Sequence, residues 1–203
     1  MSQAPLPLLG GPPPERRDAA RNREALLDAT TRLLDHCGVD AVTMDAVAAA
    51  AGVGKGTVFR RFGSRAGLMA AMLNFRELAF QTSVLSGPPP LGPGAPPMER
   101  LLAFGRSRLE YNLTAGQLIE AAGRAGRQAT GVRSFGVMHV TYLLGQLGVE
   151  GDRRFLAAAV LAPLDSLVLE DPERLEELVV DDVVAGWTDL VHRVVTGHPS
   201  RPV

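Results

Sequence analysis

Cysteine is almost absent from this chain of 203 residues, and Cys37 is the single one. A single thiol cannot close an internal disulfide, which excludes a stapled secreted scaffold and fits a reducing compartment. No stretch of about twenty apolar residues occurs, and the first residues lack the apolar core of a secretory signal, so a cytoplasmic protein with no membrane association is expected. The four histidines, His36, His139, His192 and His198, are scattered and show no metal-ligand spacing with cysteine or acid. There is no Gly-x-Ser-x-Gly elbow and no Gly-rich phosphate loop. No catalytic set, no metal site and no cofactor is therefore expected, and an enzyme is disfavoured. Lysine is also nearly missing. Lys55 is the only one among 21 basic residues, which reads as GC-rich coding rather than as chemistry.

What is present is unevenly placed. Net charge is only -1, yet eleven acids face three arginines between Glu150 and Asp189, while Gly54 to Arg65 carries Lys55, Arg60, Arg61 and Arg65 and no acid. Such asymmetry says more about partners than the total does. Hydrophobic residues make up 46% of the chain, enough for a sizeable core.

Met1 to Pro14 holds five prolines and reads as a disordered tail, or as a basic-flanked arm at DNA, since Arg16 and Arg17 follow. Glu15–Cys37 reads as a helix with Ala25, Leu26, Ala29, Leu33 and Leu34 as its apolar stripe, Cys37 packed as a small hydrophobe and Gly38 as its stop. Thr43 is the expected N-cap of a short second helix, with Val47, Ala48 and Ala51 inward. Gly52 provides the sharp turn, Val53 and Val58 lock the helix pair, and a third helix ends at Phe62 before Gly63 and the cap Ser64. A short basic helix held across another is the geometry of a helix-turn-helix DNA binder.

A long helix from Ser64 to Ser86, with Leu68, Met72, Phe75 and Ala79 on one face, is expected to connect this head to a second body. Six prolines and three glycines fill residues 87–97, a loop and the clearest boundary in the chain. Beyond it the pattern is helical throughout: Met98–Leu113, Ala115–Gln128, Val132–Leu147, Asp152–Leu169, in which Pro163 is expected to kink or split the helix, and Val179–Val195. The domains expected are thus a head at 15–63, a helical body at 64–196, and tails at 1–14 and 197–203. Phe75, Leu78, Phe104, Tyr111, Leu118, Met138, His139, Tyr142 and Trp187 are candidates for lining an apolar ligand pocket between helices. The helix from Asp152 and the helix ending at Val195 carry more apolar surface than one face buries, which predicts a four-helix homodimer interface.

The run Thr43-Met44-Asp45-Ala46-Val47-Ala48-Ala49-Ala50-Ala51-Gly52-Val53-Gly54-Lys55-Gly56-Thr57-Val58-Phe59-Arg60-Arg61-Phe62-Gly63-Ser64-Arg65-Ala66-Gly67-Leu68 resembles the DNA-binding signature of the tetracycline-repressor (TetR) family, with the match running from about Arg21 to Leu73. The resemblance implies an all-α fold of nine or ten helices: a three-helix head, a connecting fourth helix, and a helical body that binds a small molecule and dimerises through its last two long helices. It implies a homodimeric repressor of a palindromic operator, released by a small apolar ligand. The alternatives are an activating or ligand-independent regulator of the same fold and, further off, a helical carrier or enzyme. Thr43, Lys55, Gly56, Thr57, Phe59, Arg60, Arg61 and Arg21 are the DNA-binding candidates. Two positions depart from the pattern. Phe59 stands where Tyr is common and lacks the hydroxyl that reaches a phosphate, and Arg61 stands where His is common.

Overall fold

The computed structural model describes residues 14–123, 132–166 and 179–197. The proline-rich tail expected at 1–14, apart from Pro14, lies outside the described residues, as do the end of the helix expected to reach Gln128, residues 167–169 and the tail after Gly197. Every regular element among the described residues is a helix. In chain order these are α1 (Pro14–Cys37), α2 (Met44–Ala50), α3 (Lys55–Phe62), α4 (Arg65–Ser86), α5 (Pro97–Ala122), α6 (Val132–Gln146), α7 (Arg153–Ser166) and α8 (Val180–Thr196). The chain divides into two compact units between Leu68 and Met69, inside the first turn of α4.

The first unit is built by α1, α2 and α3. Leu26, Leu27, Ala29 and Thr30 form the buried face of α1, and Thr30 returns its hydroxyl to the Leu26 carbonyl at 2.8 Å. Of the expected stripe, Leu26 and Ala29 are buried, Leu33 and Leu34 are half-buried, and Ala25 alone faces out. Leu27 takes the interior in its place, because a leucine buries more apolar area than an alanine. Cys37 is exposed rather than packed. It is the last residue of α1, and the buried positions Leu26, Leu27, Ala29 and Thr30 all lie seven or more residues before it. Val42, Met44, Val47, Ala48 and Val58 complete the core. Gly52 turns the chain between α2 and α3 with φ of 67°, a conformation that strains any side chain bearing a Cβ.

Arg65 fixes this unit from the start of α4. Its Nε donates to the Val42 carbonyl at 2.8 Å and its Nη2 to the Val39 carbonyl at 2.6 Å, satisfying two acceptors of the α1–α2 connection. Removing both bonds with Arg65→Met should destabilise the protein by about 1–3 kcal/mol, read as a lower thermal midpoint by circular dichroism. A midpoint equal to that of the parent protein would show that water replaces the guanidinium without loss.

In the second unit, α4 buries Met69, Met72, Leu73, Glu77, Phe80 and Val84. The expected face through Phe75 and Ala79 is rotated, since Ala79 is exposed and a glutamate sits on the inner side. The two helices expected at Met98–Leu113 and from Ala115 are one helix, α5. Asn112, next to the expected break, is held in the interior by bonds from its Nδ2 to the Leu164 carbonyl (2.9 Å) and to Asp165 Oδ1 (3.2 Å). Pro163 does not split α7. The carbonyl that loses a partner one turn back belongs to Ala159, which is exposed and open to water.

Phe104, Leu109, Leu143, Leu144, Val160, Leu161 and Trp187 lie at the centre of this unit. Trp187 of α8 donates its Nε1 hydrogen to the Val160 carbonyl at 2.7 Å and lies against Gly105, where a Cβ would strike the indole ring. Arg108 and Asp165 form a buried ion pair at 2.9 Å, with side chains 4% and 12% exposed.

Candidate nucleic-acid interface

Helix α3 sorts its residues cleanly. Val58 is wholly buried and anchors the helix, while Lys55, Gly56, Phe59, Arg60 and Arg61 are exposed and Thr57 is half-buried. Thr43 caps α2 by accepting the Ala46 amide at 3.1 Å, and Gly63 closes α3 with its amide on the Phe59 carbonyl at 2.8 Å. A three-helix core so held presents one short helix whose outer face is basic and whose inner face is locked.

The outer face has internal structure. Lys55 Nζ is paired with Asp45 of α2 at 2.7 Å and lies 5.8 Å from the centre of the Phe59 ring. Arg60 Nη2 lies 3.5 Å from the Thr57 hydroxyl. Asn22, Arg23 and Leu26 of α1 and Thr57, Arg60 and Arg61 of α3 line one cleft of about 300 Å³. Three arginines around a surface cleft suit an anion, and the phosphodiester backbone of DNA is the abundant biological one. Arg21, on the exposed side of α1, precedes this cleft by one residue in sequence. Arg65 stands apart from the other cations, turned to the backbone carbonyls of its own unit.

A family model described as "Bacterial regulatory proteins, tetR family" matches residues 26–72, spanning the whole of α2 and α3. The helix-turn-helix head is similar to that of the tetR family. Solved structures agree in fold along most of the chain. A TetR-family transcriptional regulator from Pectobacterium atrosepticum is 19% identical with a TM-score of 0.67, the match covering 93% of this chain and 99% of that one. One from Streptomyces coelicolor is 21% identical with a TM-score of 0.57, covering 87% and 97%. Reduced NemR of E. coli is 17% identical with a TM-score of 0.59, covering 83% and 96%. No curated protein matches the chain by sequence. The match supports a DNA-binding head of the kind used in transcription regulation, with α3 as the second helix of its helix-turn-helix.

The nine residues named as pocket candidates are brought together in part, with Phe104, Tyr111 and His139 in one line of rings. Phe104, Leu118, His139 and Trp187 are buried and Phe75 and Tyr111 half-buried, whereas Leu78, Met138 and Tyr142 are 65%, 62% and 54% exposed. Met138 instead borders an open cleft of about 530 Å³ on α6 and α7, with Ser134, Val137, Thr141, Arg154 and Ala158. Inside the unit a line of rings runs from Tyr111 to Phe80 (5.5 Å), Phe104 (5.5 Å), His139 (5.1 Å) and Phe135 (6.1 Å). Polar groups flank it. Glu77 Oε2, Arg100 Nε, Arg108 Nη1 and His139 Nε2 are buried without a hydrogen-bond partner. Burial, then the Arg100 charge, pushes the His139 imidazole down to about 4, so it is neutral at pH 7. Burial, then the Glu77 carboxylate, holds the Tyr111 hydroxyl above its usual range.

Phe80, Glu77, Arg100 and Arg108 were missed by sequence reasoning. For Arg100 and Arg108 the signal was there, since Arg100, Phe104, Arg108 and Asn112 recur every four residues along one face of α5.

Among the described residues no group of three His, Cys, Asp or Glu is placed to hold a metal, and no helix is long and apolar enough to cross a membrane.

Proposed function

We propose that the protein is a cytoplasmic homodimeric repressor that binds a palindromic operator and leaves it when a small apolar ligand enters the body. The observation that carries the DNA half is the sorting of α3, with Val58 alone inward and Lys55, Gly56, Phe59, Arg60 and Arg61 outward. Two recognition helices about 34 Å apart reach successive major grooves on one side of the duplex. Lys55, Arg21 and Arg61 act on phosphates, and Thr57 and Arg60 on phosphate or base edges. Thr43 steadies α2 at the DNA and holds its hydroxyl toward the backbone.

Dimerisation through α7 and α8 is supported by the outward side of α7, where Phe155 is 69% exposed and Ala158, Ala159 and Ala162 are exposed beside it. Alanines at this spacing let a second helix approach closely. The ligand half is supported by the four unpartnered buried polar atoms along the ring line, because such atoms ordinarily have partners. The α4 helix couples ligand and DNA, and by linkage DNA weakens the ligand by the factor by which the ligand weakens DNA.

Footprinting across the regions beside the protein's own gene tests this reading. A protected palindrome that is lost on adding cell extract metabolites, together with derepression of a reporter, is the expected result. No protected site would overturn the repressor reading.

A further inference from the structure

The recognition helix carries one side chain whose chemistry does not suit a phosphate. Phe59 is 42% exposed on a helix whose other exposed side chains, Lys55, Arg60 and Arg61, are cationic. Val58, its neighbour, is wholly buried and anchors the helix. Lys55 and Phe59 are one turn apart on the same side, and the Lys55 ammonium lies 5.8 Å from the ring centre. Gly56 adds no side chain to that side, and a Cβ built there meets nothing within 4 Å. The outer face of α3 therefore presents an apolar ring beside a bare stretch of backbone, with cations around both.

In the major groove, each base pair shows a pattern of donors and acceptors, and thymine alone among the unmodified bases adds an apolar knob, its C5 methyl. A phenyl ring set against an adenine or cytosine amino group would strand that donor without an acceptor. Set against a thymine methyl, it strands nothing and removes apolar surface from water on both sides. We infer that Phe59 is a specificity-determining residue that selects a thymine in each operator half-site through its C5 methyl group. The inference rests on the DNA-binding reading above. Lys55 supports the contact by exchanging Asp45 for a phosphate while staying over the ring.

The test begins with selection of binding sites from random double-stranded oligonucleotides by the full-length protein. Each thymine of the recovered half-site is then replaced in turn by deoxyuridine, which removes only the methyl group. One position should lose about 5- to 10-fold in affinity, and 5-methylcytosine there should be tolerated better than cytosine. Phe59→Ala should bind the thymine operator about 10-fold more weakly and show no further loss with deoxyuridine at that position, while Phe59→Leu should keep part of the dependence. Circular dichroism spectra matching the parent protein's establish that the variants fold. Indifference of the parent protein to every deoxyuridine, or a methyl dependence that persists in Phe59→Ala, would overturn the role of Phe59 while leaving the DNA-binding reading intact. Failure to enrich any sequence would overturn both.

Discussion

Lys55→Ala combined with Arg60→Ala should weaken operator binding by about 100-fold or more, since each well-placed cation at a base or phosphate contributes on the order of 1–3 kcal/mol. The salt dependence should change with it. The slope of log K against log salt should become shallower by about 0.9 for each phosphate contact removed. Both side chains are exposed, and Val58 and the Gly63 cap remain in place, so the thermal midpoint should move little. Electrophoretic mobility shift across a salt series measures both quantities. Unchanged affinity in the double variant would count decisively against α3 as the reading element.

The second large effect belongs to the body. Asp165→Ala leaves the Arg108 guanidinium in the interior, 3% exposed, without its carboxylate. Removing one partner of a buried pair costs about 3–5 kcal/mol, whereas replacing both with apolar groups of similar volume is often close to neutral. Asp165→Ala should therefore lower the melting temperature by about 6–20 °C at 2–4 °C per kcal/mol for a chain of this size. Arg108→Met with Asp165→Leu should recover most of that loss. Melting curves of the single and double variants, followed by calorimetry, decide it. A single variant that melts within about 2 °C of the parent protein would mean that water reaches the arginine.

The head was legible in the sequence because its determinants are local. The Thr43 cap, the Gly52 turn, the Gly63 stop and the Ser64 cap are each set by residues within a few positions of one another, and the structure has all four. The body was legible in its helical content and less so in its faces. The helix end expected at Leu113 falls beside Asn112, of which the sequence shows only the neighbours. Its partners, Leu164 and Asp165, lie 52 and 53 residues away, and they make it an interior residue of α5. Glu77 has no place in the apolar face expected for α4. A charged residue marks the solvent side of an amphipathic helix by pattern, yet here it is buried, with one carboxylate oxygen taken by Gln81 at 2.7 Å. The pocket candidates were chosen for aromatic or long apolar character, which does not distinguish Phe104 at the centre from Met138 at the rim. That distinction depends on how α5, α6 and α7 pack, a non-local property.

Trp187 is the chain's one tryptophan, and both tyrosines, Tyr111 and Tyr142, share its unit. The head therefore contributes almost nothing to near-ultraviolet absorption or emission. Indole fluorescence follows the body alone, from a ring that is 4% exposed and fixed by its bond to the Val160 carbonyl. Far-ultraviolet dichroism reports helices in both units. Comparing the two signals during unfolding separates the melting of the head from that of the body without any label. The same optical silence makes DNA titrations informative. A quench or spectral displacement of the indole on adding duplex DNA reports a change in the surroundings of Trp187 in the body.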